Sequence, residues 1–146
     1  MDQAAPMPLN NPAECLILIV DDDADIRLLV EIALQKEGFR TSTATDGRDA
    51  FSKLEAGAPD LIFLDLMMPG QSGYEFLRGL QGTPYASIPV VIATARALDK
   101  STVAVIRQES NVVDFFTKPF KWPLILSAIH KRLNTPRAFE APKKRL

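Results

Sequence analysis

The sequence predicts an α/β protein: a doubly wound, five-stranded parallel sheet with helices on both faces. Two observations carry this prediction. Short apolar runs alternate with amphipathic helical patterns five times between residues 15 and 134, with short connections, as in a chain of βα units. The clearest runs are continuously apolar rather than alternating, which suits strands covered on both faces.

The first strand is Leu16-Ile17-Leu18-Ile19-Val20. After it, Ile26, Leu29, Val30, Ala33 and Leu34 recur at i, i+3, i+4, i+7 and i+8, one stripe of a helix. Asp23 suits its N-cap and Gly38 its C′ position. Residues 40–44 read as a thin strand. Residues 46–56 form a short helix with Ala50, Phe51 and Leu54 inward. The third strand is 61–65, and a helix over 73–80 follows, entered through Pro69-Gly70. Residues 90–94 give the fourth strand and 99–110 the fourth helix, although Thr102, Val103, Val105 and Ile106 lower its propensity. The fifth strand is 113–117. The last helix spans 122–133, with Pro123 in its first turn, where a missing N–H is harmless.

At 146 residues the chain suits one domain, and 47% hydrophobic with 24% charged residues is ordinary for a globular protein. A net charge of −1 gives no bulk attraction to nucleic acid or membrane. Cys15 stands alone, so no intramolecular disulfide forms. No apolar run approaches the roughly 20 residues of a membrane span, and the start lacks the basic residues of a signal peptide. A cytoplasmic location is expected. One histidine, His130, leaves little material for zinc sites or for Ser-His and Cys-His catalysis. Residues 1–14, with three prolines, are expected to be a mobile leader, and 135–146 a flexible tail.

In a parallel sheet the carboxyl ends of the strands share one edge, where ligands bind. Here those ends carry Asp21-Asp22-Asp23, Asp65, Thr94 and Lys118-Pro119. Clustered carboxylates call for a divalent cation with hard oxygen ligands, and Mg²⁺ suits one or two carboxylates plus water and phosphate. Asp65 is then a candidate nucleophile toward a phosphoryl group, with Thr94 and Lys118 holding its oxygens. Each residue alone has a plainer use: Asp23 as a helix cap, Thr94 as a cap, Lys118 as a surface charge. Their coincidence on four strand ends favours a site.

Over residues 15–134 the chain resembles the response-regulator receiver domain of two-component signalling, whose fold is flavodoxin-like. Ile17-Leu18-Ile19-Val20-Asp21-Asp22, Asp65-Leu66-Met67-Met68-Pro69-Gly70-Gln71-Ser72-Gly73, Ala93-Thr94-Ala95 and Lys118-Pro119-Phe120 carry the resemblance. It implies that Asp65 accepts a phosphoryl group from a histidine kinase or histidine phosphotransfer protein. It implies Mg²⁺ on Asp22, Asp65 and the backbone carbonyl of Met67, with Asp21 acting through water. Thr94 and Phe115 would form the switch, and Met67 and Arg96 would tune the lifetime of the phosphoryl group. A cis bond before Pro119 is implied too. Asn111 stands where the family usually has a glycine, and asparagine can take the left-handed backbone of a glycine there.

No output domain is expected after residue 133, and neither a helix-turn-helix nor a basic groove-binding element is read in the sequence. The resemblance therefore implies a stand-alone switch, a relay intermediate or a phosphate sink, acting on an unknown downstream protein. It would catalyse only its own phosphotransfer and autodephosphorylation. A homodimer through the fourth helix, fifth strand and fifth helix is a lesser expectation. The alternatives are a phosphatase of haloacid-dehalogenase type, a flavodoxin-like binder and a degenerate receiver used as a scaffold. The first needs an acid where Met67 stands, and the second a phosphate loop in place of Asp21-Asp22-Asp23. The complete aspartate, threonine and lysine set opposes the third.

Overall fold

The computed structural model describes residues 9–66, 73–94, 99–109 and 111–137. Five strands, β1 (Leu16–Val20), β2 (Arg40–Ala44), β3 (Leu61–Leu64), β4 (Val90–Thr94) and β5 (Val112–Thr117), alternate with five helices. These are α1 (Ala24–Lys36), α2 (Gly47–Ala56), α3 (Gly73–Leu80), α4 (Lys100–Arg107) and α5 (Trp122–Leu133). All strand pairs are parallel, in the order β2-β1-β3-β4-β5. The doubly wound sheet expected from the apolar runs is therefore the fold.

Alternation along each central strand divides the core in two. Leu18, Val20, Ile62, Leu64, Val90 and Ile92 face one way, toward Ala50, Leu54, Phe76, Leu77 and Ile106 of α2, α3 and α4. Ile17, Ile19, Leu61, Phe63, Val91 and Ala93 face the other, toward Val30, Leu34, Ile125 and Ile129 of α1 and α5. A strand whose neighbours point alternately into two cores has no polar position, which is why these runs are continuous. β2, at the sheet's edge, is only part-buried, and its composition Arg-Thr-Ser-Thr-Ala follows from that.

The helix ends obey capping chemistry. Asp23 accepts from the Asp25 and Ile26 N–H groups at 2.8 and 3.2 Å. Asp46 caps α2 through the Asp49 N–H at 2.8 Å, and Asp99 caps α4 through that of Thr102 at 2.7 Å. Asp46 and Asp99, expected as first helical residues, thus stand just outside their helices. Gly38, past the end of α1, has φ of +97°, the left-handed region that favours glycine.

Near β5 the structure departs from expectation. The strand begins at Val112 and α4 ends at Arg107. Asn111 is not left-handed: Asn134, past α5, is the non-glycine residue with positive φ among those described. Asn111 is buried instead for its amide. Its Nδ2 donates to the Ile88 carbonyl at 3.1 Å, and its Oδ1 accepts from Gln81 at 3.3 Å. Those bonds tie the entries of β4 and β5 together, a task that glycine cannot perform.

Opposite the carboxyl ends, both terminal segments meet the body. Asn10 donates its backbone N–H to the Asn134 carbonyl and its Nδ2 to that of Leu133, at 2.7 and 2.8 Å. A single 3₁₀ turn, Pro12–Glu14, leads into β1. His130 bonds to Thr135 Oγ1 at 2.6 Å and to Glu37 Oε1 at 2.7 Å, all three buried. Arg137 approaches the same Glu37 oxygen at 3.8 Å. The body therefore includes residues 9–14 and 135–137, which the sequence had assigned to the leader and the tail.

Candidate functional site

Asp21, Asp65 and Lys118 lie just past the ends of β1, β3 and β5, and each is fixed to the strand beside it. The Asp21 N–H donates to the Ala44 carbonyl at 3.2 Å, and the Asp65 N–H to that of Val20 at 2.9 Å. The Lys118 N–H donates to the Thr94 carbonyl at 2.8 Å. The ladders thus extend one residue past β1, β3 and β5, and rigid backbone presents each side chain.

Asp21, Asp22 and Asp65 come together. One carboxylate oxygen from each lies within 4.8 Å of the others. Asp21 and Asp65 are 3% and 4% exposed, while Asp22 is open to solvent. Burial pushes the Asp21 carboxyl up to about 6, the Asp23 N–H bond opposes the rise, and the charge on Asp65 adds to it. Three oxygen donors, two of them buried, match a hard divalent cation and offer nothing to a soft one. These residues therefore fit Mg²⁺.

Thr94 is 0% exposed, and its Oγ1 has no hydrogen-bond partner among the described residues. A buried hydroxyl at the end of β4, the strand next to the one that ends at Asp65, is able to donate to a ligand oxygen there. The Lys118 ammonium lies 5.5 Å from the centroid of the Phe120 ring, and its charge lowers the Asp21 carboxyl in part. The Lys118–Pro119 bond is cis. Phe115 is half-buried on the face of α4. Met67 and Arg96 lie outside the described residues.

Two further residues shape the site. Gly73 opens α3 against the backbone of Asp65. A Cβ built there would stand 2.2 Å from the Asp65 carbonyl oxygen and 2.6 Å from the Leu66 Cα. Only glycine fits, and its N–H donates to the Leu66 carbonyl at 3.1 Å. The sequence placed Gly73 at the start of a helix, but nothing there shows that α3 returns onto Asp65. Arg27, one turn into α1, donates from Nη1 to the Asp21 carbonyl at 2.8 Å. The spacing of six residues gave no signal of that bond.

A family model for the response regulator receiver domain matches residues 17–130. This chain belongs to the response-regulator receiver family. The receiver is 36% identical over 117 residues to the DNA-binding response regulator MtrA of Mycolicibacterium paratuberculosis, which covers 80% of this chain and 50% of that protein. The chain spans about half the length of the curated relatives it matches. Among solved structures it is similar to the Vibrio cholerae chemotaxis protein CheY4, with a TM-score of 0.74 and 28% identity, covering 82% of this chain and 98% of that one. A response regulator receiver protein from Pseudomonas putida gives a TM-score of 0.76 at 24% identity, covering 80% and 96%, a likeness of fold. Receivers are signalling domains, so the chain belongs to two-component signalling.

Proposed function

We propose that this receiver is a phosphorylation-controlled switch that takes a phosphoryl group onto Asp65 from a phosphohistidine of a histidine kinase or phosphotransfer protein. The observation that carries this reading is the buried Asp65 carboxylate beside Asp21 and Asp22, with the Thr94 hydroxyl on the next strand lacking a partner among the described residues. An Asp65 oxygen bonds to phosphorus as the P–N bond to the donor imidazole breaks. The imidazole leaves with the electron pair and takes up a proton, and an acyl phosphate results. The Thr94 hydroxyl donates to one phosphoryl oxygen, and the Lys118 ammonium pairs with another. Asp22, Asp65 and the Met67 carbonyl, with Asp21 through water, would hold Mg²⁺, which neutralises charge on the transferring group when bound.

The added charge, about −1.5 to −2, draws the Thr94 hydroxyl toward Asp65 and alters the face that bears Phe115. Output is then by protein contact. Attack of water on the acyl phosphate restores the carboxylate and ends the signal, at a rate tuned by Met67 and Arg96. The domain thus catalyses its own phosphorylation and dephosphorylation and no other turnover.

The donor has a landing surface. Leu28, Leu29 and Ile32 of α1 are 56%, 47% and 46% exposed, and α1 begins directly after Asp21-Asp22-Asp23. Three large apolar side chains on one exposed helix face suit a protein contact, and this helix starts directly after the acids that follow β1. Phosphoramidate, whose P–N bond stands in for that of phosphohistidine, tests the reading. It should label wild type with a hydroxylamine-sensitive phosphoryl group and leave Asp65→Asn unlabelled. Equal labelling of both proteins would place the chemistry elsewhere.

A further inference from the structure

Phe115 pairs with Ile92 in the ladder between β4 and β5, and Thr117 with Thr94. Residues two apart on a strand share a face, so the Phe115 ring and the Thr94 side chain stand on the same side of the sheet. The ring packs against the core that holds Ile92 and Ile106. Phe115 also borders a groove of about 300 Å³ along the edge strand, with Phe116, Lys118 and Leu124. The guanidinium of Arg107, the last residue of α4, lies 5.7 Å from its centroid.

That distance is within the range of a cation–aromatic contact. A phenylalanine has no hydroxyl to tether it, so the pose of this ring rests on core packing and on whatever covers its face. Arg107 is exposed, and its position follows α4, which Asp99 caps at the other end. The contact therefore links the placement of α4 to the ring beside the switch threonine.

We propose that Arg107 is the positioning residue for Phe115. Its guanidinium holds the ring in the half-buried pose and so opposes the rearrangement that follows phosphorylation. The inference rests on Asp65 as phosphoacceptor with Thr94 as its responding hydroxyl. When Thr94 turns toward Asp65, the space on this face changes and the ring shifts with it. Arg107 resists that shift by about two- to fivefold in population, the range an exposed cation–aromatic contact spans. A partner that moves α4 withdraws Arg107 and removes the resistance.

The test is a double-mutant cycle on the whole chain, read as the affinity for beryllofluoride, a phosphoryl mimic, with Mg²⁺ present. Arg107→Ala should tighten binding about two- to fivefold, and Arg107→Lys should return most of the way to wild type. In a Phe115→Leu background both substitutions should change nothing. An equal change in both backgrounds, or none in either, overturns the proposal, because Arg107 then acts through its charge on the site or not at all. Should Phe115→Leu fail to fold, the aromatic carbon shifts of the Phe115 ring decide. Arg107→Ala moves them if the contact sets the pose, and unmoved shifts overturn it. Wild type that binds no beryllofluoride would refute the phosphoacceptor reading and this inference with it. Binding with a flat cycle refutes the inference alone.

Discussion

Asp65 owes its position to a residue with no side chain. Because a Cβ on Gly73 would stand 2.2 Å from the Asp65 carbonyl oxygen, Gly73→Ala must move either α3 or the acceptor. The expected loss of stability is about 1–3 kcal/mol, typical of an added methyl group in a packed site, with slower phosphorylation of Asp65. Urea unfolding alongside small-donor kinetics checks both, and unchanged kinetics would mean that α3 alone yields. Thr94 should separate the two properties. Thr94→Val removes a buried hydroxyl that has no partner among the described residues, so stability should hold or rise, by up to about 1–3 kcal/mol. Phosphorylation should slow, by up to about 100-fold if the hydroxyl donates to developing charge. A large loss of stability in Thr94→Val would show that the hydroxyl has a structural partner.

The helices divide their labour by face. α1 buries Val30 and Leu34 and leaves Leu28, Leu29 and Ile32 in solvent on the helix that follows the acid cluster. Leu28→Asp with Ile32→Asp should weaken phosphotransfer from a phosphohistidine protein at least tenfold and leave labelling by acetyl phosphate unchanged. Equal losses with both donors would mean that the substitutions disturb the site and not a docking face. At its far end α1 is bound to α5 by Glu37, His130 and Thr135. Glu37→Ala leaves the His130 Nε2 buried without that acceptor, and a penalty of about 1–3 kcal/mol is expected. Thermal and urea unfolding measure it, and a smaller change would mean that water takes the place of the carboxylate.

For the molecule as a whole, legibility followed burial. Ile17, Ile19, Phe63 and Ala93 point into one core, with Leu18, Ile62 and Ile92 in the other, so the central strands stood out as unbroken apolar runs. Parallel topology then gathered their ends, so the acid cluster was legible in the sequence. Contacts between segments distant in sequence left no such trace. Gly73 read only as the start of a helix, Arg107 drew no reading at all, and Asn111 read as a glycine substitute, though its amide bonds to Ile88 and Gln81. The polar chain of Glu37, His130, Thr135 and Arg137 was hidden for the same reason. Its members are separated by up to 100 residues and meet only when α5 lies beside α1.

On the proposed function, Asp65 within its carboxylate cluster accepts a phosphoryl group with the help of Mg²⁺. Intact mass after incubation with acetyl phosphate, with Mg²⁺ and with chelator, tests it on wild type and Asp65→Asn. One added phosphoryl group on wild type, lost with chelator and absent from Asp65→Asn, is the predicted result. A phosphoryl group that persists on Asp65→Asn, or that forms equally well in chelator, would contradict the account.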